Sequence, residues 1–132
     1  MSVIYSDLIT EPIDQDQNIL KLTSDGRIIT LYFDPTLPED NELFFKDIIY
    51  TDILRIFNID YISSSFPKPS RDQHKWIIIV GEHTEHKPYN IFSQTTMFFG
   101  DILIAQRCEG RICPIPKTDL DLVLNLECLK KR

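Results

Sequence analysis

The sequence predicts an α+β fold in a single compact domain spanning residues 1–132: an N-terminal β-hairpin, a mixed or antiparallel sheet, and two or three helices. Three observations carry this. Asp25-Gly26 sits between two β-rich runs, residues 76–80 are an apolar run of strand length, and 101–106, apolar from Ile102 to Ala105, read as another buried strand. Residues 42–57 place apolar side chains at helical spacing. Strands and helices do not alternate strictly, which argues against a parallel βαβ sheet.

Each element has its own local reason. Residues 18–23 and 28–33 flank Ser24-Asp-Gly-Arg27, and a tight hairpin turn needs positive φ, which glycine supplies without strain. Residues 2–9 fit a third strand. Pro35 and Pro38 break residues 34–40 into a loop. In residues 42–57, Phe44 and Ile48, Phe45 and Ile49, then Tyr50, Ile53, Leu54 and Phe57 recur three and four apart, with Asp40 or Asn41 as cap. Thr51-Asp52 is a point where this helix divides in two, and Ile48-Ile49 keeps a strand open for 43–50. The stripe Phe44, Phe45, Tyr50 and Phe57 is mostly core. Its apolar groups occupy more than one face, so part of 43–57 is expected to meet a partner or a second copy.

Residues 60–66 fit a strand, and the polar, basic, proline-punctuated 67–75 a surface loop. Trp76-Ile-Ile-Ile-Val80 is apolar throughout, which places it centrally with both faces covered. Residues 81–90 form a second polar loop. Cys108-Glu-Gly110 is a turn and 111–115 returns as an edge strand. In the tail, Leu120, Leu122, Leu124, Leu126 and Cys128 alternate as in a strand. Thr118 with Asp121 resembles a capping box, and Lys130, Lys131 and Arg132 suit a helix C-terminus, so helix is the expectation for 118–131.

The chain carries a net charge of −6, against nucleic-acid binders, which usually show a basic face. Residues 1–60 hold twelve acids and four bases; residues 61–132 hold eight acids and ten bases. An acidic face for a basic partner follows, with Glu39, Asp40 and Glu42 as contacts. Twenty isoleucines and one alanine are a bias that an AT-rich coding genome would produce. No apolar run reaches membrane-spanning length, and the start lacks the basic and apolar regions of a secretory signal. Cys108, Cys113 and Cys128 are an odd number, which fits reduced thiols in a cytoplasmic setting.

The densest polar cluster is Glu82-His83-Thr84-Glu85-His86-Lys87, following the 76–80 strand. Its catalytic reading is a hydrolase using Glu82, His83, Glu85, His86 and Lys87 for acid–base work. A metal-dependent nuclease is one form, with Pro69, Asp72, Glu85 and Lys87 loosely in a P-D…E-x-K order. A zinc reading joins His83 and His86 to Cys108 and Cys113, although both spacings are unusual for zinc; no cofactor is expected. An RNA-binding reading uses Lys68, Arg71, His74 and Lys75 beside Phe66 and Trp76, with Lys87 and Arg107 completing a basic face. The four glycines are isolated, so no phosphate loop exists.

Residues 51–129 resemble a family of small uncharacterised domains encoded by phages, plasmids and large DNA viruses. The resemblance lies in an order of elements: a short helix at 51–57, the strand 76–80, a polar loop with Pro88 and Asn90, then Gly100-Asp-Ile-Leu-Ile104 and Thr118-Asp-Leu-Asp121. It implies a small α+β viral or mobile-element protein with no assigned chemistry. The leading functional expectation is a non-catalytic protein-binding module. It uses the acidic N-terminal half and loops 67–75 and 81–90, with Lys68, Arg71, His74 and Lys75 in the contact set.

Overall fold

The computed structural model describes residues 16–34, 36, 41–59, 68–69, 76–92 and 97–125. Among these residues seven strands form one antiparallel sheet: β1 (Asn18–Leu22), β2 (Ile28–Tyr32), β3 (Leu54–Ile59), β4 (Lys68–Pro69), β5 (Trp76–Gly81), β6 (Ile102–Cys108) and β7 (Arg111–Cys113). The order is β2-β1-β6-β5-β3-β4. β7 pairs the later half of β6, and Ile115 then bridges back to Asn18 at the start of β1. Helix α1 (Asn41–Ile49) lies between β2 and β3 in the chain, and a 3-10 turn (Lys117–Asp119) leads into α2 (Leu120–Leu124). The fold is α+β, as the sequence predicts, and the sheet is antiparallel.

Two cores explain why β5 and β6 are apolar at almost every position. Side chains alternate across a strand, so each face needs its own cover. On one face Leu20, Leu22, Ile28, Ile78, Val80, Ile102 and Ile104 pack under Phe92, Phe98, Leu120, Val123 and Leu124. On the other, Ile19, Ile77, Ile79, Leu103 and Ala105 pack under Phe33, Phe45 and Ile49. Phe33, Phe44 and Phe45 form a tilted aromatic group with centroids 5.3–5.6 Å apart.

The hairpin forms where the turn chemistry predicts. Gly26 N–H donates to Thr23 O at 3.1 Å, with Gly26 at φ 100°. Thr23 Oγ1 accepts from Arg27 N–H at 2.8 Å and donates to Asp25. That bond and Arg27 hold the Asp25 carboxyl below its ordinary range.

The helix expected over 42–57 is corrected. Residues 43–49 are helical, which settles the helix-or-strand ambiguity there, but the helix stops at Ile49 and 54–59 is strand β3. Tyr50 adopts φ 51°, and Thr51 N–H donates to Lys46 O at 3.1 Å, closing the helix with a Schellman-type bond. Beyond it, Leu54 and Ile56 face one core while Phe57 and Ile59 face the other. Pairing along the whole of β5 outweighs a helical spacing that was coincidental. In the 67–75 loop, Lys68 and Pro69 pair with β3 as a short edge strand, where a proline costs no ladder bond. Residues 120–124 are helical, but Asp119 is the N-cap and makes no side-chain cap bond, so the Thr118–Asp121 capping box does not form. The expected strands at 2–9 and 60–66, the cap at Asp40, and residues 126–131 lie outside the described residues. No described helix is long and apolar enough to cross a membrane.

Candidate functional site

The 81–87 loop, the C-terminus of α1 and the start of β3 meet at one end of the sheet. Glu82 N–H donates to Ile53 O at 2.9 Å, tying the loop to the segment entering β3. Thr84, buried, donates toward Gly81 O and Phe99 O at 3.3 and 3.2 Å. A Cβ on Gly81 would stand 2.9 Å from Thr51, so glycine permits this approach. Two lysines cover the carbonyls that end α1. Lys87 Nζ donates to Ile49 O and Tyr50 O at 3.0 and 3.2 Å, and Lys21 Nζ to Ile48 O at 3.2 Å. Positive charge at a helix C-terminus is favourable, and these bonds satisfy carbonyls that would otherwise be unpaired.

Asn90 fixes the far end of the loop. It is fully buried; its Nδ2 donates to Leu22 O and Gly100 O, both at 2.9 Å, and its Oδ1 accepts from Phe92 N–H at 2.9 Å.

Two clefts open on either side of this loop. One, about 240 Å³, is lined by Tyr50, Thr51, Asp52, Ile53, Glu82, His83, Thr84, His86 and Lys87. The other, about 270 Å³, shares Glu82, His83 and Thr84 and adds Arg55, Phe57, Glu85 and Met97–Phe99. Arg55 lies 4.9 Å above the Phe57 ring and 3.8 Å from Glu82 Oε1. His83 Nε2 lies 3.9 Å from Glu82 Oε2.

Among the described residues, three non-glycine residues have positive φ: Tyr50 (51°), Glu109 (52°) and His83 (56°). Glu109 occupies the two-residue β6–β7 turn, where that conformation is ordinary. Tyr50 and His83 both line the smaller cleft, and both are highly exposed, at 79% and 80%. A left-handed backbone costs a non-glycine residue about 1–2 kcal/mol, and at a helix end the usual occupant is glycine. Sequence reasoning places Tyr50 in the core stripe, and nothing local marks it otherwise.

The remaining expected site residues separate. Gly81 and Trp76 are opposite ends of β5, about 17 Å apart at 3.3 Å per residue. His83 and His86 follow Gly81, while Gln106 pairs with Trp76 at the other end, with Cys113 opposite Gln106 and Cys108 beyond it. The four-ligand zinc site is therefore not assembled, and the described residues contain no group of three or more potential metal ligands. Asp101 accepts from Ser24 N–H at 3.0 Å and pairs with Lys21 at 3.5 Å, and it lines neither cleft. Lys87 is engaged by α1 and is remote from Arg107 on β6, so these two do not share a basic face. Pro69 and Lys68 lie in β4. Glu42 is exposed and pairs with Lys46 at 3.4 Å on α1. Glu39, Asp40, Arg71, Asp72, His74, Lys75 and Cys128 lie outside the described residues. At the Cys end, burial and a hydrogen bond with Cys108 raise the Cys113 thiol above its ordinary value.

Comparison with family models, with curated proteins and with solved structures finds no match.

Proposed function

We infer that the chain is a binding module for a protein partner, and that its contact face is the rim around the 81–87 loop. The observation supporting this most is the pairing of Tyr50 and His83 across one cleft, each exposed and each in a left-handed backbone. Local strain of this kind concentrates at functional sites, because it is retained only where the side chain's position matters. Tyr50, with Ile53 49% exposed beside it, supplies an apolar anchor. Asp52, Glu82 and Glu85, with Arg55 and Lys87 beside them, supply a rim of mixed charge suited to a polar partner surface. Aromatic residues are enriched at such interfaces, where one tyrosine provides much contact area at low entropic cost. The resemblance to phage, plasmid and viral domains adds a small intracellular viral or mobile-element protein to this reading.

The test is affinity capture with the immobilised full chain from a nuclease-treated lysate of its native cells. A discrete protein retained by the wild type and by Leu122→Ser, but lost by Tyr50→Ser/Ile53→Ser, supports the assignment. Equal retention by the double variant, or nucleic acid alone in the untreated sample, overturns it.

One observation favours a second reading, a hydrolase: the Glu82 carboxylate and His83 imidazole face one another at 3.9 Å in the cleft wall. That reading requires ester or phosphoester hydrolysis by the purified chain that His83→Ala abolishes.

A further inference from the structure

The β6–β7 hairpin carries a feature that the partner-binding reading does not use. Its register sets Gln106 opposite Cys113 and Cys108 opposite Arg111. Cys108, Cys113 and Gln106 therefore project from the same face, with the two cysteines as diagonal neighbours. Both thiols are free and half-buried. Gln106 Nε2 lies 2.8 Å from Cys108 Sγ. Gln106 Oε1 is buried and has no hydrogen-bond partner among the described residues. Two soft donors thus project from one face beside the Gln106 amide, whose nitrogen donates to Cys108 and whose oxygen has no partner among the described residues.

We propose that Cys108 and Cys113 form a two-thiolate site for a soft, thiophilic d10 metal ion, beside the Gln106 amide.

The geometry favours a bridging ion over a disulfide. Diagonal partners in an antiparallel pair stand about 7–8 Å apart, whereas a disulfide needs Cα atoms within about 7 Å unless the backbone moves. Two sulfurs held at about 2.3 Å from one tetrahedral ion lie roughly 3.8 Å apart, a spacing that two side chains projecting from one face at diagonal positions can reach. Thiolate pairs select soft ions over magnesium or calcium. Binding is an exchange without redox change: each thiol gives its proton to solvent as its sulfur bonds the ion, and two protons leave per ion. The hairpin's two-residue turn, with Glu109 and Gly110 at φ 52° and 75°, fixes the register that brings the sulfurs together.

The test uses Cd²⁺ as the probe, titrated into the reduced full chain under a non-thiol reductant. The thiolate-to-cadmium charge-transfer absorption reports sulfur ligation, and a pH-stat counts released protons. The expected result is one ion per chain with two protons released. Cys108→Ser and Cys113→Ser should each weaken binding by about 100-fold or more, since even outer-shell changes cost 10- to 100-fold; Cys128→Ser should bind as the wild type does. Trp76 emission, checked in every variant, separates lost ligation from lost folding. Wild-type binding by either of the first two variants overturns the proposal, as does loss of binding in Cys128→Ser. A Cys108–Cys113 disulfide formed readily by glutathione disulfide in the folded chain would also overturn it, because the sulfurs would then sit at bonding distance.

Discussion

Replacing Asn90 by alanine should remove about 3 kcal/mol of stability, a large share of the 5–15 kcal/mol typical of a domain. Its side chain makes three hydrogen bonds at 2.9 Å, to Leu22 O, Gly100 O and Phe92 N–H, all buried. A hydrogen bond contributes about 1 kcal/mol net, and a buried group left without a partner costs about 1–3 kcal/mol. Three lost bonds, partly relieved by water entering the space left, give about 3 kcal/mol, or a fall of roughly 10–15 °C in Tm for a chain of this size. Asn90→Asp should be worse than alanine, because a carboxylate would face two carbonyl oxygens that require a donor. The assay is urea unfolding followed by Trp76, the single tryptophan and 1% exposed. A loss below about 1 kcal/mol for alanine, or an aspartate variant more stable than the alanine one, would refute the idea that Asn90 clamps the end of the 81–90 loop to β1.

Further outcomes follow from the same contacts. Gly100→Ala should destabilise by about 1–2 kcal/mol in urea unfolding, since Gly100 has φ +76° and a Cβ there would meet Lys87 Cδ at 2.8 Å. Lys87→Met keeps the aliphatic stem but removes the donor to Ile49 O and Tyr50 O, and should raise amide exchange in the last turn of α1 while leaving β6 protected. Phe45→Ala, at a fully buried ring, should cost about 3–5 kcal/mol by the same unfolding assay. The Asp25 carboxyl titrates below its ordinary 3.8, so the stability it lends the hairpin is complete above that value and is lost as pH falls through the lowered one. Amide exchange at Arg27, whose N–H donates to Thr23 Oγ1, should therefore lose protection there in the wild type and show no such step in Asp25→Asn.

The parts of the fold legible in the sequence are those set by local chemistry or by burial on two sides. Asp25-Gly26 marks its turn by backbone requirement alone, and 76–80 declares itself central because both faces are covered. The end of α1 was not legible. Ile53, Leu54 and Phe57 satisfy a helical spacing, and the helix is stopped by Tyr50's left-handed backbone and by caps from Lys21 and Lys87, far away in the chain. The same long-range closure turns Tyr50 from an expected core aromatic into an exposed one, which is why the cleft was half legible. The polar cluster of Glu82 and His83 stands out in the sequence, and the place of Tyr50 beside it does not. The cysteines were misgrouped for a related reason. The turn at Glu109-Gly110 was evident, but which thiols stand together depends on strand register, and that register puts them with each other and not with His83 and His86.

Photo-crosslinking tests the binding-face assignment most directly. A photoreactive phenylalanine analogue at position 50 of the full chain, irradiated in nuclease-treated native lysate, is compared with the same analogue at position 122. Leu122 is another exposed apolar residue, carried by α2 on the opposite side of the sheet from α1. A single discrete protein adduct from position 50 and none from position 122 is the predicted result. Adducts of equal yield and identity from both positions, or adducts to nucleic acid before nuclease treatment and none to protein, would contradict the assignment of the Tyr50–His83 cleft as a partner-binding face.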